Sequence, residues 1–281
     1  MTAQFKQLTV EDLRVRFHTA HRVVEAVRGV SFTVGREKVG IVGESGSGKS
    51  MTGRAILRLS PPQAQVTAKK LQFQEIDLLA ASERQMLKVR GQRISMIMQD
   101  PKFALDPVMR VGEQIAEAIP ADRRGSRAQD RDRVLAMLES VHIRDPKRVF
   151  DLYPHEVSGG MGQRIMIAMM LMPEPSLLIA DEPTSALDVT VRMRVLAILD
   201  DLAAKRDLGL IFISHDLNLV ASFCDRVLIM YAGRIVEQCV ASELTHAQHP
   251  YTRGLLASLP RIGDTRAKLP VLTRDPAWLS S

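Results

Sequence analysis

Gly43-Glu44-Ser45-Gly46-Ser47-Gly48-Lys49-Ser50 fits the phosphate-binding pattern G-x-x-x-x-G-K-[ST] at every fixed position. The apolar run ahead of it, Val39-Gly40-Ile41-Val42, reads as a short buried strand. Behind it, Met51 to Leu59 carries good helix formers, with Ala55, Ile56, Leu57 and Leu59 available for a buried face. The motif therefore has the strand and helix flanks it requires, which predicts an α/β domain organised around a phosphate site.

Gly43, Gly46 and Gly48 let the backbone bend so that successive N–H groups converge on a β-phosphate, reinforced by the helix N-terminus. Lys49 adds a point charge for the β- and γ-phosphate oxygens, and the Ser50 hydroxyl is placed to ligate Mg²⁺. A plain glycine turn with solvated Lys and Ser needs no such flanks. The stretch predicts a nucleoside triphosphate ligand.

With 281 residues the chain has room for one large domain or two small ones. Hydrophobic residues at 46% and charged residues at 25% are ordinary for a globular protein. The net charge of +6 points to an anionic ligand or a membrane surface, and 4% aromatic content leaves few platforms for stacking single strands. No nucleic-acid partner is expected. Cys224 and Cys239 have no metal-ligand spacing and are expected to be buried, reduced thiols of a cytoplasmic protein. Met1 to Arg14 has no apolar core of a secretion signal, and the longest apolar run, Ile165 to Met172, is too short to span a bilayer. Any work at a membrane would use membrane segments of another chain.

Leu8 to Phe17 and Val23 to Val34 alternate loosely and predict two antiparallel strands. The sequence leaves two readings for His21 and Phe17: one of them stacks on a base, or they are a turn histidine and a core phenylalanine. Val66 to Ile76 adds further strand, and Ile94 to Met98 is a second compact apolar run followed by Gln99. Ligands of parallel α/β sheets bind beyond strand C-termini, where a neutral amide can touch both Mg²⁺ and a water. Standing alone, Gln99 would be a polar loop-starter.

Val108 to Ile119 and Val134 to Val141 predict helices joined by a solvated, charged loop from Ala121 to Arg133. Without strand patterning, this middle region reads as a helical subdomain. Ser158-Gly159-Gly160 then opens a helix over Gln163 to Met172, making a second anion site at a helix N-terminus. Leu177-Leu178-Ile179-Ala180 is a buried strand with Asp181 and Glu182 at its tip, suited to holding Mg²⁺ and to accepting hydrogen bonds from an attacking water. Val191 to Ala204 is a helix, Leu210 to Ser214 a strand ending at His215, and Val227 to Tyr231 with Arg234 to Val236 a hairpin. His215 shares the strand-end position of Gln99 and Glu182, within reach of a γ-phosphate.

The glycine loop, Gln99, Ser158-Gly159-Gly160, Leu177 to Glu182, Ser185 to Asp188 and His215 follow the order seen in ATP-binding-cassette (ABC) ATPases, which the chain resembles from about residue 8 to 260. Arg90-Gly91 to Pro107, Tyr153 to Glu156, Met230 to Glu237 and His249-Pro250-Tyr251-Thr252 are similar to the dipeptide/oligopeptide/nickel importer branch. The resemblance implies a P-loop NTPase fold: a RecA-like core, an antiparallel β subdomain and an inserted helical subdomain at about 100–170. A cassette over 1–245 and a C-terminal extension over 246–281 complete the expected organisation.

It also implies that ATP occupies Gly43 through Ser50 together with Met51, with His21 a candidate on the base side. Glu182 is then the catalytic base, His215 the γ-phosphate switch, and Gln99 the group coupling the site to the membrane subunit. Ser50, Gln99 and Asp181 hold Mg²⁺, while Ser158, Gly159 and Gly160 face the nucleotide of a second cassette. Implied partners are that second ATPase (sibling or self), two permeases and, indirectly, a solute-binding protein, at the cytoplasmic face of a bacterial inner membrane. The implied function is ATP-driven import of small peptides or nickel; the alternatives are a soluble ABC ATPase of DNA repair or translation, or an exporter ATPase. Three departures stand out: Gly162 where the branch has a basic residue, a short loop at Gly35-Arg36-Glu37-Lys38, and no C-terminal cysteine cluster. No iron–sulfur site is therefore expected.

Overall fold

The computed structural model describes residues 7–19, 22–100, 104–185, 187–259 and Trp278. The chain divides into two compact units, Met1–Ala81 with Ile211–Ser281, and Ser82–Leu210. The first unit holds both kinds of sheet.

Its antiparallel sheet contains β1 (Leu8–His18) and β2 (Val23–Val34), as their alternation predicts. Leu8, Val10, Leu13 and Val15 are buried, but the spacing jumps by three between Val10 and Leu13. A bulge lies there, with Asp12 at φ +50°, and restores the inward face after the extra residue. The strands β4 (Ala64–Thr67), β5 (Lys70–Phe73) and β6 (Ile76–Asp77) complete this sheet, β4 and β5 both pairing with β1.

The first unit's second group of strands includes β3 (Lys38–Val42), which runs parallel to β10 (Arg226–Tyr231). On the far side of β10 is β11 (Arg234–Val240), antiparallel to it, and β9 (Gly209–Ser214) lies beside β3. After β3 comes α1 (Lys49–Ile56), shorter than its pattern predicts. It stops because Arg58 takes a left-handed φ of +54°, letting Leu59 N–H bond Arg54 O and Arg58 N–H bond Ala55 O. Leu59 is consequently 47% exposed rather than part of a buried face. The helix α8 (Leu217–Phe223) packs on β3, and α9 (Pro250–Ser258) ends the unit's described helices.

The second unit contains α2 (Glu83–Val89), β7 (Ile94–Ile97) and β8 (Leu177–Asp181). The two strands pair in parallel, Ile97 opposite Ala180, and every residue in them is buried. A cluster of helices fills the rest: α3 (Val111–Glu117), α4 (Arg127–Ser140), α5 (Pro146–Phe150) and α6 (Gly159–Leu171), followed after β8 by α7 (Val189–Arg206).

Two expectations change here. The charged stretch 121–133 is not a loop: a 3₁₀ turn at Ala121–Arg123 leads into α4, which begins at Arg127. Ser126 and Gln129 form a capping box, and the helix buries Val134, Met137 and Leu138 while its charges face water. In addition, α6 starts at Gly159 rather than Gln163, because Ser158 already caps Met161 N–H.

The cysteines also differ from each other: Cys224 is buried, whereas Cys239 is only half-buried. Burial pushes the Cys224 thiol up to about 12, and burial followed by the Glu237 charge raises Cys239. A raised thiol stays protonated and unreactive to higher pH. Iodoacetamide labelling of the folded chain, read by mass spectrometry at pH 8, is expected to mark Cys239 slowly and Cys224 only after denaturation. Equal labelling of the two in the folded chain would contradict this. Among the described residues, no helix is long and apolar enough to cross a membrane.

Candidate nucleotide site

The glycine loop leaves the C-terminal end of β3 and closes onto α1 within the first unit. Gly48 sits at φ +100° as the N-cap of α1, and a Cβ there would stand 2.5 Å from Ala26 O. A Cβ on Gly43 would be 2.1 Å from Met230 O, so the wall behind the loop excludes any side chain there.

Lys49 is only 5% exposed, and its Nζ donates to Gly43 O at 2.8 Å and Glu44 O at 2.9 Å. The ammonium thus folds back over its own loop and concentrates positive charge there. Among the described residues, Ser47 Oγ is buried without a hydrogen-bond partner, and the amides of Ser45, Gly46 and Gly48 find no acceptor. Most helices among the described residues begin with a side-chain cap, including Ser82, Ser126, Ser158 and Asp188. The N-terminus of α1 has none and carries no acid in its first turn. Free donors, a buried cation and an uncapped helix end together fit an anionic ligand. Ser50 and Met51 lie half-buried in that first turn.

The same unit carries His215, exposed directly after β9 and just ahead of α8, whose cap is Asp216 accepting from Leu219 N–H at 3.0 Å. Phe17 is half-buried on β1, opposite Val24 and Ala64. His21, the base-side candidate, lies outside the described residues.

In the second unit, Asp181 is the last residue of β8 and only 4% exposed. Glu182 follows at φ +48°, a left-handed conformation that costs a non-glycine residue about 1 kcal/mol. Its carbonyl accepts from Ser185 N–H and Ser185 Oγ, each at 3.2 Å, which holds the turn. Gln99 Nε2 donates to Glu182 Oε2 at 3.4 Å. The parallel register of β7 and β8 makes that meeting possible, since both side chains stand two residues beyond a paired position, Ile97 and Ala180. Backbone strain at a carboxylate beside a buried acid is the kind of feature that marks functional positions.

Ser158 Oγ accepts from Met161 N–H at 3.4 Å and so opens α6. Gly159 faces open space, while a Cβ on Gly160 would stand 2.8 Å from Val191 Cγ1 on α7. Sequence reasoning missed Arg164, which fastens this turn: its Nε donates to Gly160 O at 3.2 Å and its Nη1 to His142 O at 2.6 Å. Burial, then the charges of Arg194 and Arg144, lower the pKa of Arg164. An arginine at the fourth residue after Gly160 was visible in the sequence, but its carbonyl partner at His142 was not.

Residues 27–185 match the protein-family model described as ABC transporter. The chain is 51% identical over 256 residues to the probable peptide ABC transporter ATP-binding protein y4tR of Sinorhizobium fredii, covering 90% of this chain and 76% of that protein. It is 46% identical over 279 residues to the dipeptide transport ATP-binding protein DppD of Bacillus subtilis, covering 98% and 83% respectively. Among solved structures, the dimeric structure of MJ0796, a bacterial ABC transporter cassette, superposes with a TM-score of 0.74 at 25% identity, over 83% of this chain and 98% of that one. With more than half its length inside the family model and a glycine loop built for phosphate, the chain belongs to the ABC transporter family, as an ATP-binding and ATP-hydrolysing cassette.

Proposed function

We propose that this ATPase powers the import of small peptides through an ABC transporter. The observation that carries the reading is identity of 46–51% over nearly the whole chain to ATP-binding proteins named for peptide and dipeptide transport. Lys49 and the amides of Gly43 to Met51 hold the triphosphate, and the imidazole of His215 reads its γ-phosphate. Ser50, Asp181 and Gln99 offer hydroxyl, carboxylate and amide oxygens, the hard donors that suit Mg²⁺. With its nitrogen donating to Glu182, Gln99 would have its amide oxygen left to offer that ion. Mg²⁺, when bound, neutralises charge on the phosphate oxygens.

Glu182 accepts the proton of the attacking water. Ser158, Gly159 and Gly160 serve the nucleotide held by a second cassette, a copy or a sibling of this chain. Residues 1–245 form the cassette, with its helical part at about 100–170, and 246–281 form an extension. The complex also needs two permeases and a solute-binding protein, with this chain peripheral at the cytoplasmic face of the inner membrane.

Uptake of radiolabelled dipeptide and of labelled nickel, measured side by side in cells lacking this chain, tests the proposal. Restoring the chain is expected to restore dipeptide uptake and leave nickel uptake unchanged. Recovery of nickel uptake alone, or of neither, would remove the peptide assignment.

A further inference from the structure

The wall behind the glycine loop comes from parts of the first unit far away in sequence. Gly233 N–H donates to Ser47 O at 3.0 Å. Gly233 belongs to the two-residue turn between β10 and β11, where Ala232 and Gly233 take φ of +44° and +86° as such hairpins require. Glu44 N–H donates to the Tyr251 hydroxyl oxygen at 3.2 Å, across 207 residues of sequence. Tyr251 lies in the first turn of α9, and its side chain is fully buried. A buried phenol oxygen needs a polar partner, and here the loop's own backbone supplies one.

A second set of bonds fixes where α9 begins. Glu237 on β11 accepts from Gln248 N–H at 2.6 Å and His249 N–H at 3.3 Å. His249 Nδ1 accepts from Tyr251 N–H at 3.2 Å, an imidazole helix cap, with Pro250 as the first helical residue. The Tyr231 ring packs 4.5 Å from that of Tyr251, and the Trp278 ring meets both, at 5.6 and 5.8 Å. One connected path therefore runs from Glu237 through the turn at 248–249 to Tyr251 and on to Glu44.

We infer that Tyr251 is a positioning residue for the nucleotide: its hydroxyl fixes the Glu44 peptide and thereby pre-orders the loop amides that receive the phosphates. A loop containing three glycines loses much conformational freedom on gripping a ligand, and a loop held in advance loses less. The segment His249-Pro250-Tyr251-Thr252, which in the sequence served only to mark resemblance, then has a physical task. This inference rests on the nucleotide-site reading above.

Tyr251→Phe removes one oxygen and keeps the buried ring. ADP binding to the purified full chain, measured by isothermal titration calorimetry, is expected to weaken roughly three- to tenfold in this variant, the span of one lost hydrogen bond. Its KM for ATP is expected to rise by more than kcat falls. Glu237→Ala, acting through the same path, is expected to weaken ADP binding as well, and the double variant no more than the stronger single one. Native affinity in Tyr251→Phe, or effects of the two changes that multiply independently, would overturn the inference. A native chain that does not bind ADP would overturn the site reading and this inference with it, whereas native binding with an unaltered variant overturns the inference alone.

Discussion

Glu182→Gln is expected to slow ATP hydrolysis by about a hundred- to ten-thousandfold while ATP stays bound, the span that a positioned general base contributes. The substitution keeps size and shape, and glutamine meets the same backbone cost as glutamate at the left-handed φ of +48°. What it removes is the charge that, in the proposed role, draws a proton from water. The turn to Ser185 is made by the backbone carbonyl and survives the change. Single-turnover phosphate release measures the loss, and size-exclusion chromatography in ATP is expected to show a persistent dimer of cassettes. Normal turnover would move the base to another residue.

The second large effect is expected from Lys49→Ala. Removing the buried ammonium leaves the carbonyls of Gly43 and Glu44 without that donor, yet also removes a desolvated charge. These effects on stability oppose each other, and alanine is at home in the first turn of a helix. The unfolding midpoint is therefore expected to move little. Phosphate has no such compensation: losing a buried, charge-bearing partner costs about a hundredfold in affinity. Peptide uptake is expected to fall to the level of cells without the chain, with circular dichroism unchanged, and uptake at the native level would contradict this role.

The central strands were legible because each is short, apolar and buried along its whole length. The runs at β3, β7, β8 and β9 need no alternation to be recognised, and turn residues bound them. Only the first half of α4 was hidden, for the opposite reason. Its apolar residues Val134, Met137 and Leu138 lie in its second half, so the charged first half looked like loop. The spacing of Ser126 and Gln129 was the signal that could have found it. At β1 the bulge at Asp12 displaced the inward face by one residue, which blurs any period of two.

The site divides in the same way. The glycine loop is local, every fixed position lying within eight residues, so the sequence could specify it. The approach of Gln99 to Glu182 depends on the register of β7 against β8, and a register is set by packing across the sheet rather than by either strand. The left-handed Glu182 has no sequence signature at all. Tyr251 was noticed only as part of a family-like segment, since its bond to Glu44 joins residues 207 apart.

The most direct measurement is equilibrium binding of ATP to the purified chain, native and Lys49→Ala, titrated calorimetrically with EDTA present so that hydrolysis does not intervene. The account predicts a saturable isotherm for the native chain, with one nucleotide per chain, and no measurable heat for Lys49→Ala over the same range. Matching isotherms, or no binding by the native chain, would contradict it.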